Sequence, residues 1–149
     1  MEMISINTIQ FLNAFDYIKS TVEGLEDLQL ITGDEYSYDF VNDVVTVALE
    51  KTHMDRVWEE FMIGYVKEVF DYDMTLDEID IFSLLHEIGH AETFYTFSTE
   101  QIKQYVKDVD ALNTDDFYSY RQLDIEYTAD KWAIDYMRLH GEDLKQILK

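Results

Sequence analysis

Residues 75–97 read TLDEIDIFSLLHEIGHAETFYTF. From Ile79 to Phe97, apolar side chains fall on almost every face of a helix, a pattern that belongs in the middle of a domain rather than on its surface. Thr75 and Glu78 form a T-x-x-E capping box ahead of it, and Asp77, Glu78 and Asp80 suit the positive end of its dipole. A helix of this kind has to be wrapped by other elements, so the fold is organised around it. Yet it carries His86, Glu87 and His90 in its middle. Each such polar group would cost about 1–3 kcal/mol if buried without a partner. What satisfies them is the question this chain poses.

Outward from this helix, the spacing predicts an α+β, mostly α fold with one short β region. Residues 8–30 carry Ile9, Leu12, Phe15, Ile18, Val22 and Leu25 at helical intervals, with Asn7 or Thr8 placed to cap the start. Tyr36, Tyr38 and Phe40 then alternate with polar residues, Val44 to Leu49 is a β-branched run, and Asn42-Asp43 suits a turn between two strands. Residues 53–70 return to helical spacing through Val57, Phe61, Tyr65 and Val69. Ser98 or Thr99 is expected to cap a helix over 100–112. Thr114 or Asp115 is expected to open a long helix over 116–140, stopped by Gly141, with a short turn or helix after it. With no Pro, five Gly and no repeat, nothing reads as a linker, and 149 residues suit a single domain over 1–149.

Composition narrows the function classes. Apolar residues are 47% of the chain, including 11 Tyr, 9 Phe and 2 Trp, which is not a disordered composition. The absence of Cys excludes a disulfide framework and a thiolate metal site, so a transition metal would need His, Asp or Glu. The histidines are His53, His86, His90 and His140. The N-terminal stretch lacks a signal-peptide pattern, and no apolar run approaches the roughly 20 residues that cross a bilayer. A soluble, cytoplasmic protein is the expectation. The net charge of −21, from 32 acids and 11 bases, argues against nucleic acid or an anionic membrane as a direct partner. It fits a cation-binding protein, or one that docks on a basic partner, although solubility alone is a plainer explanation. A carboxylate surface that imitates DNA and inhibits a DNA-binding protein, with a structural metal or none, is the alternative function class.

His86 and His90 stand at i and i+4, one turn apart on one helix face, so two imidazole nitrogens can aim at one point. Zinc accepts neutral imidazole well and favours a tetrahedral set. Glu87 is turned by roughly 100° from His86, so its carboxylate can reach a water beside the metal without being a ligand. Core histidines hydrogen-bonded to carboxylates would satisfy the same groups without a metal; the motif favours the metal. Gly89, inside the helix, costs about 1 kcal/mol relative to Ala, which suggests that a backbone or a substrate comes close there.

Two histidines leave zinc under-coordinated. Residues 126–133, EYTADKWA, supply Glu126 and Asp130 on one face of a second helix. Packed across the first helix, Glu126 could be the third ligand, and Asp130 could accept a hydrogen bond from the far nitrogen of a zinc-bound histidine.

HEIGH followed by a helical E-x-x-x-D resembles the gluzincin class of zinc metallopeptidases, whose third ligand is a Glu on a later helix. More narrowly, the 126–133 stretch is similar to the E-x-E-A-[ND]-x-F-A stretch of ImmA/IrrE-type proteases and to the E-Y-x-A-D stretch of HtpX-type peptidases, with Thr128 where the former carries its second Glu. The resemblance covers the two motif helices. It implies a minimal zincin-like domain with a short β-hairpin or edge strand on a central active-site helix, and Zn2+ held by His86, His90 and Glu126. It also implies Glu87 as general base, Asp130 as the residue that orients a ligand, and a protein or peptide as substrate. In that class an edge strand holds extended substrate, and Val44 to Leu49 would be that strand here. The acidity of the chain suggests a basic substrate or basic flanking region.

The residue that would stabilise an oxyanion has no clear signature. His140 lies 14 residues past Glu126, about 21 Å along a straight helix, too far to take part. Tyr118, Tyr120, Arg121 and Tyr127 are nearer, but each reads first as a packing or surface residue, as does His53. Glu92 should face away from the histidines, solvated or paired.

Overall fold

The computed structural model describes residues 8–48, 53–112 and 117–148. The caps expected at Asn7, Thr114 and Asp115, Leu49, and the side chains of Thr8 and His53 lie outside the described residues. The chain runs α1 (Thr8–Thr21), β1 (Gln29–Gly33), β2 (Ser37–Asp39), β3 (Val44–Ala48), α2 (His53–Phe70), α3 (Ile79–Thr93), α4 (Thr99–Ala111), α5 (Phe117–Gln122) and α6 (Asp124–Ile147). The architecture is α+β and mostly α, as the spacing predicts. Among the described residues no helix is long and apolar enough to cross a membrane.

Helix α3 is the axis of the fold. Every residue from Ile79 to His90 is buried. The capping interaction expected before it forms: Glu78 Oε1 accepts from both the backbone N–H and the hydroxyl of Thr75, each at 3.1 Å. The helix ends at Thr93, whose hydroxyl donates to Gly89 O at 2.7 Å, and Phe94–Thr96 tighten into a 3-10 turn. It therefore stops short of Phe97, where the apolar pattern ran on.

One side of α3 packs on the sheet and the other on α6. The sheet order is β1-β3-β2, with β1 parallel and β2 antiparallel to β3. Val45 and Val47 point inward from β3 and are fully buried, the alternation that a half-covered strand requires. The turn between β2 and β3 falls where expected, with Asp43 in the left-handed region at φ 56°. The β-branched run does not form an edge, however. β3 is the central strand, and β2 is the edge strand that borders the cleft described below.

Two further expectations are corrected. The helix predicted over 8–30 ends at Thr21, and its last residues form β1. Gly24, at φ +91°, turns the chain, and Lys19 Nζ donates to the carbonyls of Glu26 and Leu28 at 3.1 and 3.2 Å. Leu25 and Leu28 stay buried in that turn, so the apolar spacing persisted while the helix did not. The helix predicted over 116–140 breaks at Leu123, whose backbone is extended, and α6 continues through Gly141 to Ile147. Leu144 is fully buried beyond that glycine; its packing outweighs the helix cost of Gly.

The crossing of α3 and α6 explains Gly89. A Cβ there would lie 2.8 Å from the carbonyl oxygen of Ala129. Gly89 and Ala129 meet at the crossing, and it is the α6 backbone that comes close. His86 and His90 flank that point on α3, and Glu126 and Asp130 flank it on α6.

Candidate metal centre

The crossing brings five residues predicted from the sequence, His86, Glu87, His90, Glu126 and Asp130, into one buried cluster. Glu126 straddles the two imidazoles: its Oε1 lies 3.2 Å from His86 Nε2 and its Oε2 lies 3.0 Å from His90 Nε2. The two rings are nearly perpendicular, with centroids 4.5 Å apart. The other nitrogen of His86, Nδ1, lies 2.7 Å from Asp130 Oδ1. Potential ligand atoms of His86, Glu87 and His90 all lie within 4.8 Å of one another. Of the two glutamates, Glu126 has the tighter seat against both histidines, which leaves Glu87 beside the pair.

The donor set fits a divalent ion. A neutral imidazole has a single N–H, yet both nitrogens of His86 face carboxylates. One contact satisfies Nδ1–H; the other requires either an extra proton or a cation at Nε2. A tetrahedral zinc with bonds of about 2.0–2.1 Å holds neighbouring donor atoms roughly 3.3–3.4 Å apart, close to the 3.2 and 3.0 Å spacings between Glu126 and the histidines. His86, His90 and Glu126 are the residues that could hold it.

The electrostatics of the chain alone show how strongly the cluster attracts positive charge. Burial opposes protonation of His86, but the Asp130 and Glu126 carboxylates outweigh it and raise its pKa to about 10. Burial likewise opposes ionisation of Glu126, and hydrogen bonds from His86 and His90 reverse this, holding its carboxyl well below the usual range. The break at Leu123 also places Glu126 in the first turn of α6, where the helix dipole favours a carboxylate. Glu87 behaves differently: burial raises its pKa, with the two histidines pulling the other way.

Residues that sequence reasoning undervalued or missed complete the cluster. Arg121, read as a packing or surface residue, is buried and grips Asp130 with two hydrogen bonds, Nε to Oδ2 at 3.1 Å and Nη2 to Oδ1 at 2.5 Å. Burial disfavours its charge, but Asp130 and Glu126 outweigh this and raise its pKa. Tyr105, on α4, donates to Glu126 Oε2 at 3.0 Å. Tyr120 is hydrogen-bonded to Tyr105 and Glu126, and burial is the main cause that pushes its phenol up to about 12. The remaining candidates lie elsewhere or pack. Tyr127 stacks on Phe70, Tyr118 sits edge-on to Tyr65, and His140 lies against Tyr136 and Tyr17. Glu92 is partly buried, and burial raises its pKa.

The cluster forms the floor of a cleft of about 710 Å³. Its walls come from α3, from the segment leading into β2, from α2, and from the aromatic residues Phe40, Phe94, Tyr105 and Tyr120. No protein-family model matches the chain, and no curated protein or solved structure matches it. The likeness to zinc peptidases rests on these residues and their arrangement.

Proposed function

We propose that the protein is a zinc-dependent peptidase that hydrolyses peptide bonds in a protein or peptide substrate, acting in the cytoplasm. The observation that carries this reading is the Glu126 carboxylate set across His86 Nε2 and His90 Nε2, with Glu87 beside them on the floor of an open cleft. His86, His90 and Glu126 would hold the ion. When bound, zinc supplies Lewis acidity and lowers the pKa of water towards about 7.

The chain's own residues do the rest. Asp130, clamped by Arg121, accepts the Nδ1 proton of His86 and so directs the Nε2 lone pair at the ion site. Tyr105 holds Glu126 in its bridging pose. Glu87 accepts a proton from the attacking water and passes it to the amine as the C–N bond breaks and the new C–O bond forms. Its burial, which raises the carboxyl pKa, suits a group that must both take and return a proton. The hydroxyl of Tyr120 lines the same cleft and would serve a developing oxyanion by giving up its hydrogen bond to Glu126. The edge of β2 borders the same cleft and can pair with an extended peptide.

The test is peptide hydrolysis by the zinc-loaded wild type and Glu87→Gln. The expected result is cleavage by wild type and a loss of about 10²–10⁴-fold in the variant, with zinc content unchanged. A zinc-loaded wild type that cleaves nothing in a diverse peptide mixture would overturn the reading.

A further inference from the structure

Ser83 stands on α3 one turn before His86 and Glu87, on the face that lines the cleft. The four residues between it and Glu87 span about 6 Å along the axis. Ser83 is 4% exposed. Its Oγ is the single buried side-chain nitrogen or oxygen among the described residues that has no hydrogen-bond partner.

A helical hydroxyl has a ready partner in the carbonyl three or four residues back. On α1, Ser20 and Thr21 take it, donating to Tyr17 O at 2.5 Å and Ile18 O at 3.0 Å. On α3 itself, Thr93 donates to Gly89 O at 2.7 Å. Ser83 makes no such bond. A buried hydroxyl left unpaired costs about 1–3 kcal/mol, and alanine would fill the same space with better helix propensity. The folded chain therefore gains nothing from this hydroxyl, and a partner for it has to come from outside the chain.

We propose that Ser83 is a substrate-binding residue, whose hydroxyl pairs with a backbone amide of the polypeptide in the cleft; the inference rests on the peptidase reading above. A distance of about 6 Å is roughly two residues of extended chain at about 3.3 Å each, so the amide lies within two residues of the scissile bond. A backbone amide suits the group, because a peptide presents a carbonyl and an N–H at nearly every position and a hydroxyl can donate or accept. Such a contact positions peptides of any sequence. The Oγ is closed off from solvent, but a single torsion, χ1, places it, and turning it between staggered positions breaks no hydrogen bond. Binding asks for that rotation.

The test uses the zinc-loaded chain and the peptide it cleaves fastest in a diverse mixture. Ser83→Ala is expected to lower kcat/KM about 3–10-fold, the worth of one hydrogen bond, with zinc content unchanged and the melting temperature kept or raised. Ser20→Ala, which removes an exposed hydroxyl from α1, should leave kcat/KM unchanged. Backbone esters then locate the contact. Each amide within two residues of the scissile bond is replaced in turn by an ester, which lacks the N–H and has a weaker carbonyl acceptor, while the scissile amide is kept. One ester should cost wild type about 3–10-fold and Ser83→Ala almost nothing, because both changes remove the same contact. The inference is overturned if Ser83→Ala leaves kcat/KM unchanged, if its loss of activity comes with a lowered melting temperature, or if every ester costs both chains equally. Binding separates this claim from the peptidase reading. Immobilised zinc-loaded Glu87→Gln should retain peptides of the mixture, and adding Ser83→Ala should weaken retention about 3–10-fold. Ser83-dependent retention without hydrolysis by wild type overturns the peptidase and leaves the inference. Hydrolysis that Ser83→Ala does not slow overturns the inference and leaves the peptidase.

Discussion

The two ends of α6 hold similar residues to opposite effect. At its start, Glu126 and Asp130 meet His86, His90, Arg121 and Tyr105. Near its end, His140 meets Tyr17 and Tyr136, and Asp143 accepts from Tyr17 at 2.8 Å. Both ends contain histidine, carboxylate and tyrosine. At the His140 end the ring is partly exposed, only one of its nitrogens has a polar partner among the described residues, Tyr17 Oη at 3.2 Å, and the carboxylate is on the surface. At the Glu126 end both histidines, both carboxylates and the guanidinium are buried, with only Tyr105 partly exposed, and Glu126 lies within 3.2 Å of both imidazoles. Residue type therefore does not make a candidate metal centre; burial and convergence do, because carboxylates that water cannot reach need a positive partner.

That contrast can be broken by substitution. The largest effect is expected from Glu126→Ala, which should remove bound zinc and hydrolysis together, whereas His140→Ala should leave both intact; metal analysis and a peptide assay on the two variants check this. Next comes Arg121→Ala. It leaves Asp130 buried without its guanidinium, and should cost about 3–5 kcal/mol of stability in denaturant titration and weaken zinc about 10–100-fold. Gly89→Ala tests the crossing itself: with 2.8 Å to Ala129 O, the helices must part, for about 1–3 kcal/mol. The smallest change belongs to the other end, where Tyr136→Phe removes a 2.6 Å hydrogen bond with Thr21 and should cost about 1 kcal/mol with no change in zinc binding.

The same contrast explains what was legible in the sequence. His86, Glu87 and His90 lie within one helical turn or so, and Glu126 and Asp130 within another, so local spacing alone puts each set on one face. The apolar run around the histidines required a buried helix, and α3 is one. Arg121 was not legible because its reach depends on Leu123, a single extended residue between α5 and α6 that turns the guanidinium back towards Asp130. Tyr105 was hidden for a similar reason: α4 packs its tyrosine against Glu126 across 21 residues of chain. The misread strand β1 and the central position of β3 share a cause. Helical spacing of Leu25 and Leu28 continued past Gly24, and strand order is set by pairing between segments that local pattern does not encode.

The central claim is that one cation is held between α3 and α6. Elemental analysis of protein purified without added metal tests it most directly, with Glu126→Ala measured alongside. The account predicts about one zinc per wild-type chain and almost none in the variant. A wild type that carries no transition metal and takes up none from added zinc, or a Glu126→Ala chain that retains the full complement, would contradict it.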